Sequence, residues 1–406
     1  MKTYFKMAWR NIWRNKKRTL LTIFSIFMAV FLSLFTRSMQ IGVYTNMITN
    51  AVKFSSGHIQ IHEKGYWNDK SISTTFVESQ KIDSVISQNK NIIFSIPRIE
   101  SYSLASSGKH TKGSIIIGTD PKKENELNKY SQKIIKGKYL EENDKAVLVA
   151  SKLAEYLNVG INDTIILLGQ GYHGITAAGQ FPIKGIINYP IPQLNNQLVV
   201  MPLAEAKFYY ATENRITSLS LMLDDADNIS ETVTELKKSL SDQYEIMPWQ
   251  EMNTELVQAI QSDSIGGIIM LAILYIVIGF GVFGTIMMMT MERKKEFAVM
   301  VSIGMQKTNI LLVVVLETLF IGIVAIVIGI IASYPLIAYL HNHPIPLSGD
   351  MASAYEMFGI EPIIPFSTKP GIFINQVLSV IGITAIAVVY PLSMILKFNI
   401  MKVLRS

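Results

Sequence analysis

The chain has 406 residues, 49% of them apolar and only 17% charged, against about a quarter charged in ordinary soluble domains. That balance excludes a disordered or collagen-like chain, and the clustering of the apolar residues argues against a wholly soluble globule. The absence of cysteine removes disulfides, thiolate metal sites and a cysteine nucleophile together, and the net charge of +6 is explained by its placement, as shown below.

The first 18 residues carry Lys2, Lys6, Arg10, Arg14, Lys16, Lys17 and Arg18 and no acid. Phe5, Trp9, Ile12 and Trp13 recur at i, i+4, i+7 and i+8. Residues 1–18 therefore predict an amphipathic helix in the headgroup plane, either a plain anchor or an elbow that moves. The stretch 19–35 carries no charge between Arg18 and Arg37, and a bilayer needs about 20 apolar helical residues, with about 17 tolerated. This is the first span, 19–36. Its long basic flank and the lack of an A-x-A-like site predict an uncleaved anchor. Ile41, Tyr44, Ile48 and Val52 continue a helical stripe too polar for lipid, a stalk ended by Ser56-Gly57.

Residues 58–62 alternate as a strand. A helix is predicted at 77–89, strands at 93–105 and 114–118, a strand at 198–201, a helix at 203–210, a strand at 217–223, a helix at 228–241 and a strand at 244–247. This order suggests split β-α-β units. Residues 121–195 read as an insert of short strands (146–149, 164–168, 181–187) with a helix at 152–157, closed by Pro190 and Pro192. A second stalk, 249–264, leads to spans at 265–291, 310–340 and 372–396. The predicted fold is thus an α-helical membrane protein of four spans, with a large α+β domain, 37–264, between the first and second.

Arg293, Lys294, Lys295 and Lys307 crowd the loop 292–309, and Lys397, Lys402 and Arg405 the tail 397–406. The loop 341–371 has only Lys369 against Asp350, Glu356 and Glu361. By the bias of basic residues toward the cytoplasm, both termini and the loop 292–309 are cytoplasmic and the large domain is external. The basic surplus is a topology signal, which removes the case for nucleic acid.

No G-x-x-x-x-G-K-[ST] phosphate loop, nucleophile elbow or converging set of metal ligands occurs in the sequence, so no catalytic or metal residue is assigned. Within the spans Glu317 is the sole acid; its place near the cytoplasmic end predicts a hydrogen-bonded helix clamp rather than a proton relay. Phe24, Phe27, Phe31 and Phe35, with Met28 and Met39 nearby, share one face of the first span. Gly279, Gly281 and Gly284 permit close helix approach, for packing or for a dimer contact.

Glu292-Arg293-Lys294-Lys295-Glu296, followed by Gly304-Met305, resembles the E-R-x-x-E…G motif of FtsX/MacB-type, mechanotransmitting ABC transporter permeases. Glu317, Tyr390-Pro391 and the terminal Lys402-Val403-Leu404-Arg405 resemble that family's acid and ending; Ile400-Met401 departs from its usual Asp-Pro. The order Gly118-Thr119-Asp120-Pro121, Ile135-Lys136-Gly137, Val147-Leu148-Val149 and Phe181-Pro182-Ile183-Lys184-Gly185-Ile186 resembles the lipoprotein-releasing permeases LolC and LolE. The resemblance implies a non-enzymatic subunit of the cell inner membrane that works with a second permease subunit, identical or not, and a separate cytoplasmic ATPase dimer. ATP and Mg bind that partner, and this chain holds no cofactor. It implies lipoprotein cargo passed to a periplasmic acceptor and the outer membrane; the alternatives are MacB-like efflux or an FtsX-like regulator. Glu292, Arg293, Glu296, Phe297, Met300, Gly304 and Met305 are then the coupling peg for the ATPase, with Phe297, Met300, Val301 and Gly304 on its docking face. The stripe Phe24, Phe27, Phe31, Phe35 and Met39 is the expected acyl groove.

Overall fold

The computed structural model describes residues 2–14, 16–189, 191–357 and 360–397. Pro190 and the tail motif around Ile400, Met401 and Lys402 to Arg405 lie outside the described residues. In chain order, α1 (Lys2–Arg14) and α2 (Lys16–Ala51) precede a π-turn at Val52–Ser56, then β1 (Ile59–Glu63), α3 (Tyr66–Asp69), β2 (Phe76–Val77), α4 (Gln80–Gln88), β3 (Ile92–Ser106), β4 (Thr111–Thr119) and α5 (Pro121–Asn128). Next come β5 (Ile134–Gly137), β6 (Val147–Ala150), α6 (Ser151–Leu157), β7 (Thr164–Gln170), β8 (Thr176–Ile187), α7 (Pro192–Asn195), β9 (Leu198–Pro202), α8 (Leu203–Tyr209), β10 (Arg215–Ile216), β11 (Ser218–Leu223), α9 (Ile229–Ser239) and β12 (Tyr244–Pro248). The chain continues through α10 (Trp249–Met252), α11 (Thr254–Glu292), α12 (Lys294–Ser302), α13 (Lys307–Asn342), β13 (Ile345–Pro346), α14 (Asp350–Met357), β14 (Ile363–Ile364) and α15 (Pro370–Lys397).

The chain divides into two units: 1–45 with 259–346 and 364–406, and 46–258 with 347–363. The first is a helix bundle. Among the described residues four helices are long and apolar enough to cross a membrane: Lys16–Ser56, Thr254–Glu292, Lys307–Asn342 and Pro370–Lys397. Each extends past the apolar stretch visible in the sequence, because a helix does not stop where hydrophobicity does. The basic residues Lys16, Lys17 and Arg18 open α2 instead of closing α1. The 36 residues of α2 make a rod of about 54 Å. Ile26, Val30, Leu34, Val282, Ile321, Ala325 and Val388 form the bundle core. Gly329 lets α13 close on Val30 of α2, where a Cβ would come within 2.8 Å of the valine side chain.

The second unit is built on a ten-stranded sheet in the order β12-β1-β11-β3-β4-β9-β6-β8-β5, with β7 against β3 and β8. β1 is antiparallel to both β11 and β12, and β11 is antiparallel to β3. Hence β1-α4-β3 encloses β11, and β11-α9-β12 encloses β1, two interlocked split β-α-β units. Their helices cover Ile59, Ile61, Leu219, Leu221 and Ile246. The segment 121–195 is no separate insert. Its β6 pairs with β9 through Leu148 and Val200, and its β7 pairs with the far half of β3 through Ser103 and Gly169. β3 is 15 residues long, enough to pair along both halves, so the segment extends one sheet and adds a second core around Val147, Leu153, Ile165 and Val199.

Two further sequence expectations are corrected. The helix expected at 77–89 begins at Gln80, capped by Ser79, because Phe76–Val77 pairs with Arg215–Ile216. The second stalk breaks at Asn253, whose side chain bonds the Trp249 carbonyl at 2.9 Å, and restarts as one helix through to Glu292.

The base of the first stalk is fixed by a buried charge. Arg98, 1% exposed, meets Glu124 at 2.8 Å and donates to the Ser55 carbonyl of the π-turn. Glu124 also accepts from Thr119 at 2.8 Å and Asn128 at 2.5 Å, while Tyr189 donates to the Phe54 carbonyl. Burial alone would lower the Arg98 pKa; Glu124 and Glu100 hold it raised, so the guanidinium stays charged.

His62 lies fully buried on β1, Nε2 facing Gln60 Oε1 at 2.7 Å, stacked on Tyr66 and flanked by Trp67. Burial, helped by Lys70, lowers its pKa from 6.5 to about 3. The unfolded chain protonates this ring below pH 6.5 and the native one does not, so native stability falls as pH drops from 6.5 toward 3. His62→Gln removes that dependence. In urea titrations read by tryptophan fluorescence, the stability of wild type relative to His62→Gln should drop by about 2 kcal/mol between pH 7 and pH 5; a pH-independent difference would contradict the assignment.

Candidate functional site

The densest polar cluster of the bundle joins α1, α2, α12 and α13. It starts from a carboxylate in an apolar helix. Glu317 is 4% exposed on α13 and Arg293, just before α12, is 8% exposed. Their Nη1 and Oε2 atoms meet at 2.6 Å, and Asn11 of α1 donates to the other carboxylate oxygen, also at 2.6 Å. A lone charge here would cost several kcal/mol; paired and bonded at both oxygens, it holds. Arg293 also reaches Glu296 at 3.4 Å and lies over the Phe297 ring. Arg14 pairs with Glu296, and Arg18 with Glu292. The Arg14 hydrogen bond holds the Glu296 pKa below the usual carboxylate range. Thr19 Oγ1 bonds the Ile12 carbonyl at 2.8 Å, tying α1 to α2.

The local sequence dictates how α12 is held. Phe297 and Ala298, 2% and 0% exposed, pack on Ile310, Val314 and Ile395, with Met300, Val301 and Met305 half-buried against them. Gly304 ends the helix at φ +103°. Its N–H bonds the Val301 carbonyl and that of Met305 the Met300 carbonyl, each at 3.0 Å. This is a Schellman cap with its apolar contact, and the left-handed residue favours glycine. Within the bundle Phe297 is buried and Met300 and Val301 are half-buried, Gly304 is an exposed cap and Arg293 is buried on Glu317, while Glu292 and Glu296 stay exposed and pair with Arg18 and Arg14. The face of α12 that stays exposed carries Lys295, Val299, Ser302 and Ile303, the last 80% exposed. Beside it a cleft of about 540 Å³ opens between α1 and α12, floored by Met7, Met300, Met305 and Val313.

The phenylalanines of α2 form a ladder, with ring centroids 6.0 Å apart for Phe24 and Phe27, 5.9 Å for Phe27 and Phe31 and 6.3 Å for Phe31 and Phe35. Phe35 meets buried Phe366 at 4.9 Å. Phe24 is exposed, while Phe35 and Met39 pack half-buried on the bundle core. A Cβ added at Gly279 would come within 3.1 Å of the Ile383 side chain, whereas one at Gly281 or Gly284 would meet open space. Sequence reasoning missed Asn11 and did not pair Arg14 and Arg18. The i, i+3 and i, i+7 spacing of 11, 14 and 18 along one side of the N-terminal helices was the signal available. Among the described residues no group of three or more His, Asp or Glu is placed to hold a metal.

Comparison with known proteins defines the class. The model described as FtsX-like permease C-terminal matches residues 268–400, and the MacB-like periplasmic core domain matches residues 19–239. The chain is an integral membrane permease. It belongs to the FtsX/MacB-type family of ABC transporter permeases. It is 20% identical over 252 residues to the lipoprotein-releasing system transmembrane protein LolC of Neisseria meningitidis, covering 60% of each chain. It is 24% identical over 222 residues to an uncharacterized ABC transporter permease of Methanocaldococcus jannaschii, covering 52% of this chain and 53% of that one. The match thus spans about 60% of the length of its LolC relative. The periplasmic region of MacB from Actinobacillus actinomycetemcomitans aligns with TM-score 0.35 and 13% identity, over 51% of this chain and 95% of that one. The extracellular domain of the Gram-positive transporter YknZ aligns with TM-score 0.34 and 13% identity, over 47% and 98%.

Glu317→Ala leaves Arg293 buried without its partner. The expected cost is about 3–5 kcal/mol, read as a lower melting temperature of the detergent-solubilised chain, with Glu317→Gln losing less because it still accepts from Asn11. An unchanged melting temperature for Glu317→Ala would contradict the clamp.

Proposed function

We propose that this chain is the force-relaying permease subunit of an ABC transporter, and that its cargo is lipoprotein drawn from the inner membrane for transfer to the outer membrane. ATP and Mg act on a separate cytoplasmic ATPase dimer. The observation that carries this reading is the clamp. Glu317, Arg293 and Asn11 bind α12 to α1 and α13, and Arg14 and Arg18 bind it again to α1 and α2. A push on the exposed face, Lys295, Val299, Ser302 and Ile303, therefore reaches the first and third spans without a soft joint. The basic flanks Lys6, Arg10, Lys16, Lys17 and Lys295 support a cytoplasmic position for this end and a periplasmic one for the sheet domain. The open surfaces at Gly281 and Gly284 suit a second permease subunit.

Lipoprotein cargo is supported by the name of the LolC relatives and by the phenylalanine ladder. Acyl chains hold to a bilayer by about 0.8 kcal/mol per CH₂, which demands an energy source and an apolar receptor. Export of another cargo is the second reading, favoured by the MacB-like core match over 19–239.

Two experiments test this. Glu296→Lys should lower stimulation of the partner ATPase by about fivefold, the equivalent of ~1 kcal/mol, and Arg14→Glu combined with Glu296→Arg should restore it. Failure of the swap to restore activity would mean that Glu296 serves the partner directly. A photo-crosslinker at Phe31 or Phe35 should capture lipoprotein in membranes; adducts only from the opposite face of α2 would remove the ladder as the acyl site.

A further inference from the structure

Every acid at the α1–α12 end of the bundle has an arginine: Glu292 has Arg18, Glu296 has Arg14 and Glu317 has Arg293. What remains exposed on α1 is basic and aromatic. Around this helix, Ala8 and Ile12 form the buried side, 0% and 5% exposed. Phe5, Trp9 and Trp13 occupy one flank, each about half exposed, and Phe5 and Trp9 also touch Phe320 of the span α13 at 5.6 and 5.8 Å. Lys6 and Arg10 follow Trp13 around the helix, on the side away from Ala8 and Ile12. Both are exposed, and among the described residues neither forms an ion pair, whereas Arg14 and Arg18 do. Arg14 and Met7 complete the circle on the flank facing α12.

An indole flank that touches a membrane-spanning helix and borders an unpaired basic strip fits one surface chemistry. The rings enter the acyl boundary while the bases meet headgroup phosphates. We propose that Lys6 and Arg10, with Trp13 beside them, form a binding strip for anionic phospholipid headgroups, and that lipid held there fixes the helix whose other flank, through Arg14, engages α12. An acidic protein surface would satisfy Lys6 and Arg10 but would leave Phe5 and Trp9 against Phe320 unexplained, so the observations favour lipid.

The test uses the full chain in nanodiscs of phosphatidylcholine with a minor fraction of phosphatidylglycerol, with bromine on the acyl chains of one lipid or the other. The signal of Trp9 and Trp13 is isolated by subtracting a Trp9→Phe/Trp13→Phe chain. Each basic residue near a surface favours anionic lipid by about fivefold. Quenching per mole of bromine should therefore be several-fold greater when phosphatidylglycerol carries it. In Lys6→Ala/Arg10→Ala the preference should vanish while quenching by brominated phosphatidylcholine persists, which shows that α1 is still seated. Equal quenching by both lipids in the wild type, or a preference that survives in the variant, would overturn the proposal. Equal quenching together with binding of an acid-rich protein to the same strip would assign it to a protein partner.

Discussion

A carboxylate inside an apolar helix bundle must be neutralised where it stands, and most of the local structure around Glu317 follows from that demand. Its two oxygens take one arginine and one amide from two other elements. Arg293 is thereby drawn under α12, its side chain covers Phe297, and the apolar face of α12 turns inward. The exposed pairs Arg14–Glu296 and Arg18–Glu292 contribute little each in water. Placed around a buried pair, they tie the α12 end to α1 and α2 as well.

The same device appears in the second unit. Arg98 is buried with Glu124, which takes two of its hydrogen bonds, and a third goes to Ser55 at the π-turn that follows α2. One helix thus has an arginine contact near its start, Arg18 with Glu292, and an arginine fixing the turn that follows its end. A rod held only by apolar packing can slide, because methylene contacts have no preferred register; hydrogen-bonded charges do. Asn46 and Asn50 add to this, both donating at 3.0 Å to one oxygen of Glu361 in the loop before α15.

The sequence was most legible where one period dominated. The four spans were visible because a long apolar run with at most one charge has few other meanings, and the interlocked β-α-β units because strand and helix patterns alternate between turns. The motif from Glu292 to Met305 is legible in the sequence, but what its residues touch within the bundle is not. Helical spacing places Phe297, Met300 and Val301 on one face without saying which way that face points. Gly304 looked like part of a docking surface, although its positive φ marks it as a cap. Nothing local announces that Arg14 belongs with Glu296, 282 residues away. The segment 121–195 looked separate for a similar reason: its pairing with β3 and β9 is invisible to a window a dozen residues wide.

In the proposed force relay, α12 and the first span move as one body and the motion appears in the sheet domain. The chain has no native cysteine, so spin labels can be placed cleanly at Ser302 on α12, Leu20 on α2 and Lys237 on α9. Electron–electron distance measurements on the complex with the proposed partner ATPase, with and without trapped nucleotide, address this most directly. The account predicts an unchanged Ser302–Leu20 distance and a shifted Ser302–Lys237 distance. A Ser302–Leu20 distance that changes with nucleotide while Ser302–Lys237 stays fixed would contradict it.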